Sequence, residues 1–77
     1  MQKILLYYKF TPIADPEVVK LWQKTLCDSL NLRGRILVSH HGLNGTVGGE
    51  IEDLKKYIKE TKKFEGFKGI VFKWSEG

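Results

Sequence analysis

Residues 34–54, GRILVSHHGLNGTVGGEIEDL, pass from a β-branched apolar run through two histidines and a group of glycines into helical spacing. Arg35 to Ser39 has the composition of a strand, and Gly34 lies in the turn before it. Asn44 to Gly48 reads as a short third strand around Thr46 and Val47, so His40 to Leu43 form a hairpin loop, with His40, His41, Leu43 and Asn44 at its tip. Glycines at 42, 45, 48 and 49 supply positive φ or a bulge where the chain reverses. From about Glu50 to Lys62, Ile51, Leu54, Tyr57, Ile58 and Thr61 fall on one stripe of a helix. Its other face is charged, with Glu52 and Lys56 spaced to pair. The stretch is therefore strand, hairpin, strand and helix entry.

Upstream, Lys3 to Phe10 alternates with period two. Ile4, Leu6, Tyr8 and Phe10 share one face, assigned to the core; Leu5, Tyr7 and Lys9 share the other. Asp15-Pro16-Glu17 is a helix start, with a capping carboxylate, proline at the first helical position and an acid that suits the dipole. Val18, Val19, Trp22, Leu26 and Leu30 then mark a buried stripe on a helix reaching about Asn31. Downstream, Gly66 and Gly69 frame a turn, and Ile70 to Trp74 alternates as a fourth strand, with Ile70, Phe72 and Trp74 facing one way.

The order β-α-β-β-α-β, with right-handed crossovers, predicts an α+β, ferredoxin-like sandwich: a four-stranded antiparallel sheet with two helices on one face. The expected core gathers Ile4, Leu6, Tyr8, Val18, Trp22, Leu26, Ile36, Val38, Leu54, Ile58, Ile70 and Phe72. The open face would then display Leu5, Tyr7, Lys9, Leu37, Val71 and Lys73.

At 77 residues the chain can close only one core. No apolar run is long enough for a membrane helix or a signal-peptide core, which predicts a cytoplasmic protein. A single cysteine, Cys27, agrees with a reducing compartment. Thirteen Lys and Arg against nine Asp and Glu give a net charge of +4, and residues 55–73 hold seven lysines against Glu60 and Glu65. This imbalance fits either a polyanionic partner, nucleic acid first, or a solvated lysine-rich helix face.

The chemistry-bearing side chains are sparse. His40 and His41 are adjacent, so in extended backbone they point apart, and Cys27 is too distant to complete a metal site. Cys27 sits mid-helix beside the apolar stripe, as a packing residue does. The glycines of HGLNGTVGGE could turn amides toward an anion, but Glu50, Glu52 and Asp53 crowd the same helix terminus, and no P-loop or dinucleotide spacing is present. No motif for a cofactor is found. The open sheet face leaves RNA or a second domain as its occupant. Tyr7 is its only aromatic residue, so lysines would carry much of an RNA contact. The contact candidates are Tyr7, Lys9, His40, His41, Leu43, Asn44, Lys55, Lys59 and Lys73.

KILLYYKFTPIADPEVVKLWQKTLC, LRGRILVSHHGLNGTVGG and FKGIVFKWSEG, in this order, resemble the N-terminal domain of bacterial rhodanese-like proteins that act as oxygen-dependent tRNA wobble-uridine hydroxylases. The resemblance covers essentially the whole chain. It implies an acylphosphatase-like form of the βαββαβ fold and, in the parent protein, a following rhodanese-like domain that holds the reactive cysteine. Cys27 does not match that cysteine. The role implied for this domain is non-catalytic: contacting tRNA, shaping the substrate cleft, or packing on the rhodanese-like domain. A sequence ending at Gly77, just past the last strand, fits a domain excised from such an oxidoreductase.

Two further readings remain, a pure interdomain scaffold and a free-standing acylphosphatase. The first connection, FTPIADPE, has neither the glycines nor the arginine of the acylphosphatase loop G-x-V-Q-G-V-x-F-R. Aligning the shared G-T-V places His41 where that enzyme has an asparagine. Without cationic capture of the phosphate, acyl-phosphate hydrolysis has no source of transition-state stabilisation.

Overall fold

A computed structural model describes residues 1–76; Gly77 lies outside the described residues. The elements are β1 (Gln2–Phe10), α1 (Pro16–Ser29), β2 (Arg33–Ser39), β3 (Gly42–Glu50), α2 (Ile51–Thr61), a 3-10 turn (Glu65–Phe67) and β4 (Lys73–Glu76). The strands form one antiparallel sheet in the order β2-β3-β1-β4, the βαββαβ fold expected, with β1 and β3 central. Both helices pack on one face.

The glycine-rich segment is a strand, as expected, but it is longer than Asn44–Gly48 and runs from Gly42 to Glu50. β3 pairs over its whole length with β1, from Gln2 opposite Glu50 to Phe10 opposite Gly42, and on its other side with β2. Two neighbours saturate its backbone, which offsets the weak strand preference of four glycines. The hairpin turn shrinks to His40 and His41, and Leu43, expected at its tip, is a buried strand residue. The awkward backbone falls on Gly42, at φ +150°, where a Cβ would stand 2.1 Å from the Lys9 carbonyl oxygen. Gly34 is not in the helix exit but inside β2, at φ +155°, pressed against the Thr46 carbonyl. The exit is made by Asn31 in the left-handed region (φ 57°), while Leu32 N–H donates to Cys27 O at 2.9 Å and Asn31 N–H to Asp28 O, a Schellman closure.

The core lies on the opposite side of β1 from the one expected. Leu5 and Tyr7 are buried, whereas Leu6, Tyr8 and Phe10 are exposed and Ile4 is half-buried. Cross-strand partners explain the choice. Tyr7 stands opposite Gly45, and a Cβ at Gly45 would lie 2.6 Å from the Tyr7 hydroxyl, so the missing side chain makes room for the ring. Leu5 stands opposite Val47, which is also buried. Leu32 fills the corresponding gap over Gly49.

Tyr7 ends in a buried polar chain. Its hydroxyl bonds to that of Tyr57, Tyr57 O–H donates to Gln23 Oε1 at 2.5 Å, and Gln23 Nε2 donates to Thr61 Oγ1 at 3.3 Å. Among the described residues no buried side-chain nitrogen or oxygen lacks a partner, so the polar groups do not carry the cost of unmet burial. Burial outweighs these bonds in setting the phenols' acidity, and both tyrosines titrate well above the ordinary value of 10.

Gln23 also reorients α1. Its buried line is Val19, Gln23 and Cys27, with Trp22, Leu26 and Leu30 partly buried beside it, and Val18, placed in the core by sequence, is exposed. α2 buries Leu54, Tyr57 and Thr61 as its spacing predicts, although Glu52 pairs with Lys55 (3.9 Å) rather than with Lys56. Past α2, Phe64 and Phe67 stack against Trp22. Ile70 and Phe72 belong to the core as expected, but they precede the paired strand, which begins only at Lys73.

Candidate nucleic-acid interface

Among the described residues, neither helix covers the second face of the sheet. Period-two alternation and the strand registers place on it Leu6, Tyr8 and Phe10 from β1, Asn44 and Thr46 from β3, Arg33, Arg35 and Leu37 from β2, and Lys73 from β4. Tyr8 is 67% and Phe10 79% exposed, their ring centroids 5.6 Å apart in an edge-to-face arrangement. The face has cations at both edges and a pair of aromatic rings on a central strand. Its acid, Glu50, lies at the far end, where its carboxylate accepts from the amino group of Met1 at 2.6 Å and titrates below the usual carboxylate range because of that bond. A surface with this charge can attract phosphate groups, and rings so exposed can stack on bases.

The predicted contact residues divide between the two sides. Tyr7 is sealed under the helices, and Lys9 lies on the same helix-covered side with its ammonium group near Gly69. Leu43 is buried beneath the sheet. Asn44 and Lys73 occupy the open face. His40 and His41 form the turn at its end. Lys55 and Lys59 project from α2, on the opposite side of the molecule from Arg35 and Lys73. The lysine run of the sequence is thus not one patch: Lys63 pairs with Glu60 (2.8 Å), Lys68 with Glu65 (3.4 Å), and Lys62 sits over the Phe72 ring. Tyr8, Phe10 and Arg35 are exposed on this face and were not among the residues expected from sequence; for Tyr8 and Phe10 the signal was the parity of β1, which the Tyr7–Gly45 pairing would have set correctly, and for Arg35 its alternation with Leu37.

The histidine turn is tied to the β1–α1 connection by its main chain. Thr11 N–H donates to His41 O and Ile13 N–H to His40 O, each at 3.0 Å, and His40 Nδ1 lies 3.1 Å from Ile13 O. These amides belong to the loop that would have to receive an acyl phosphate, and they already donate to carbonyls. The loop also lacks a cation. Among the described residues no three His, Cys, Asp or Glu side chains are grouped as a metal site would require. Cys27 is buried, and burial pushes its thiol up to about 11, which leaves little thiolate at neutral pH. Among the described residues no helix is long and apolar enough to cross a membrane.

Residues 2–77 match the UPF0176 acylphosphatase like domain, and the chain belongs to that family. It is 67% identical over 75 residues to a tRNA uridine(34) hydroxylase of Corynebacterium glutamicum, an alignment covering 97% of this chain and 24% of that protein. The protein of the same name from Corynebacterium efficiens is 65% identical with the same coverage. The one from Rhodococcus erythropolis is 57% identical over 97% of this chain and 26% of its own length. The chain thus spans about a quarter of the length of these relatives.

Proposed function

We propose, from this family membership together with the open, cationic sheet face, that the chain is the non-catalytic N-terminal domain of a tRNA uridine hydroxylase. In this reading it binds and positions tRNA in the cytoplasm for chemistry carried out by a rhodanese-like domain of the same parent polypeptide. The observation that carries the reading is that Arg33, Arg35 and Lys73, in the rows of Ile4 and Leu6, share with Tyr8 and Phe10 a face that neither helix covers among the described residues. Phosphate contacts give affinity and orientation, and a domain that holds the substrate needs no reactive group of its own.

The test is a titration of unmodified tRNA with the 77-residue chain between 50 and 200 mM salt. Binding should weaken steeply as salt rises, and Arg35→Ala and Lys73→Ala should each reduce the salt slope by roughly 0.7–0.9. Absence of binding at the lowest salt would remove the role.

A second contact surface supports the packing part of the proposal. Val18 and Leu21 are exposed on α1, and Phe64 is stacked on Trp22 beside them. This patch lies on the helix side, so a neighbouring domain could rest there while RNA occupies the sheet.

A further inference from the structure

Two shallow grooves flank the Tyr8–Phe10 segment and share one wall, formed by Tyr8, Lys9, Phe10 and Asn44; the one toward β4 also reaches Tyr7 and Gly69. The groove toward β2, about 500 Å³, is closed by Leu37 and His41; the groove toward β4, about 760 Å³, is closed by Val71 and Lys73. We infer that this ridge is a binding site for two adjacent unpaired bases, one lodged in each groove against Tyr8 or Phe10. The inference rests on the tRNA-positioning role proposed above and specifies the part of the RNA that is held.

The ring geometry selects the ligand. The Tyr8 and Phe10 planes are inclined by 69°, so they cannot form one flat platform. Two bases stacked on them must be turned steeply relative to each other. Duplex RNA keeps its successive bases parallel and paired, whereas a single strand can splay them. Asn44 stands on the shared wall with a donor and an acceptor that can meet a base edge. Arg35 stands opposite Thr46, one row from Asn44 on the same face, and Lys73 lies at the rim of the second groove, where a sugar-phosphate backbone would pass. Cations at both edges favour a polyanion over an apolar protein surface as the occupant.

Fluorescence anisotropy with labelled hexauridylate, hexaadenylate and a 12-base-pair RNA duplex separates these possibilities. The wild-type chain should prefer the hexamers. Tyr8→Ala combined with Phe10→Ala should weaken hexamer binding by at least about thirtyfold, since each stacked base contributes a factor of about five or more. The salt slope should stay unchanged, because no phosphate contact is lost. Tyr8→Phe with Phe10→Tyr keeps both rings and should bind within about twofold of wild type. Circular dichroism should show all these variants folded.

Hexamer affinity that survives loss of both rings, or a duplex bound as tightly as the hexamers, would overturn the stacking site while leaving salt-dependent tRNA binding intact. A chain that binds no RNA would overturn the positioning role as well. Loss of association with the rest of the parent polypeptide in the ring-less variant, without loss of RNA binding, would reassign the face to domain packing.

Discussion

Tyr7 and Tyr8 are adjacent and chemically identical, yet the first is 6% exposed and the second 67%. The same division runs along β1, with Leu5 and Tyr7 sealed beneath the helices and Leu6, Tyr8 and Phe10 turned to solvent. The covered side is complementary in detail: Gly45 admits the Tyr7 ring, Val47 meets Leu5, and Gln23 accepts from Tyr57 and donates to Thr61. On the open side, among the described residues, the Tyr8 and Phe10 rings meet each other but no such fitted neighbour from across the chain. Equal apolarity is therefore no guide to burial; the presence of a fitted neighbour is. Side chains left without one are available for a ligand.

The largest predicted contrast is between removal of a buried ring and removal of an exposed one. Tyr57→Ala should cost about 3–5 kcal/mol, a loss that threatens folding in so small a domain, whereas Tyr8→Ala should stay within about 0.5 kcal/mol. Urea denaturation followed by circular dichroism checks both. Equal costs would mean that the two faces are not different in kind.

A smaller effect tests the pairing that sets the faces. Gly45→Ala places a methyl group against the Tyr7 ring and should cost about 1–3 kcal/mol. Tyr7→Phe removes the closest atom, the hydroxyl, and its bond to Tyr57, costing about 0.5–1.5 kcal/mol. The double variant should lose less than the sum, because the two changes share one space. Strict additivity would break the link between the glycine and the burial of Tyr7.

The smallest effect appears only at alkaline pH. Tyr7 and Tyr57 have folded pKa values raised above 10, so their contribution to stability is complete below pH 10 and is lost as pH rises beyond it, where the unfolded chain releases protons that the folded chain keeps. Tyrosinate absorbance should show Tyr7 and Tyr57 ionising only as the chain unfolds. Ionisation of these two in a chain that remains folded would contradict their burial.

Much of this molecule was legible in the order of its residues. The capping group Asp15-Pro16-Glu17, the stripe on α2 and the strand-like run before the histidines set the βαββαβ order, because each depends on near neighbours in the chain. The motif across residues 34–49 carried the family. What sequence could not place were features set by contacts across the sheet. β1 is apolar on both faces, so alternation divides its residues into two sets without saying which set is covered. Only the middle of β3 reads as a strand, because glycine is a poor strand former, and two pairing neighbours with the space required by Tyr7 and Leu32 extend it from Gly42 to Glu50.

Most of the candidate site follows from that choice of face: Asn44 and Lys73 were identified from sequence, Arg35 shares its face with Leu37 by alternation, and Tyr8 and Phe10 joined them only when Tyr7 turned inward. The lysines of residues 55–73, one run in sequence, are divided among α2, the segment that follows it and the opposite sheet face. Chain order sets which residues share an element, and packing alone sets which elements share a surface, since burial is decided by partners far away along the chain.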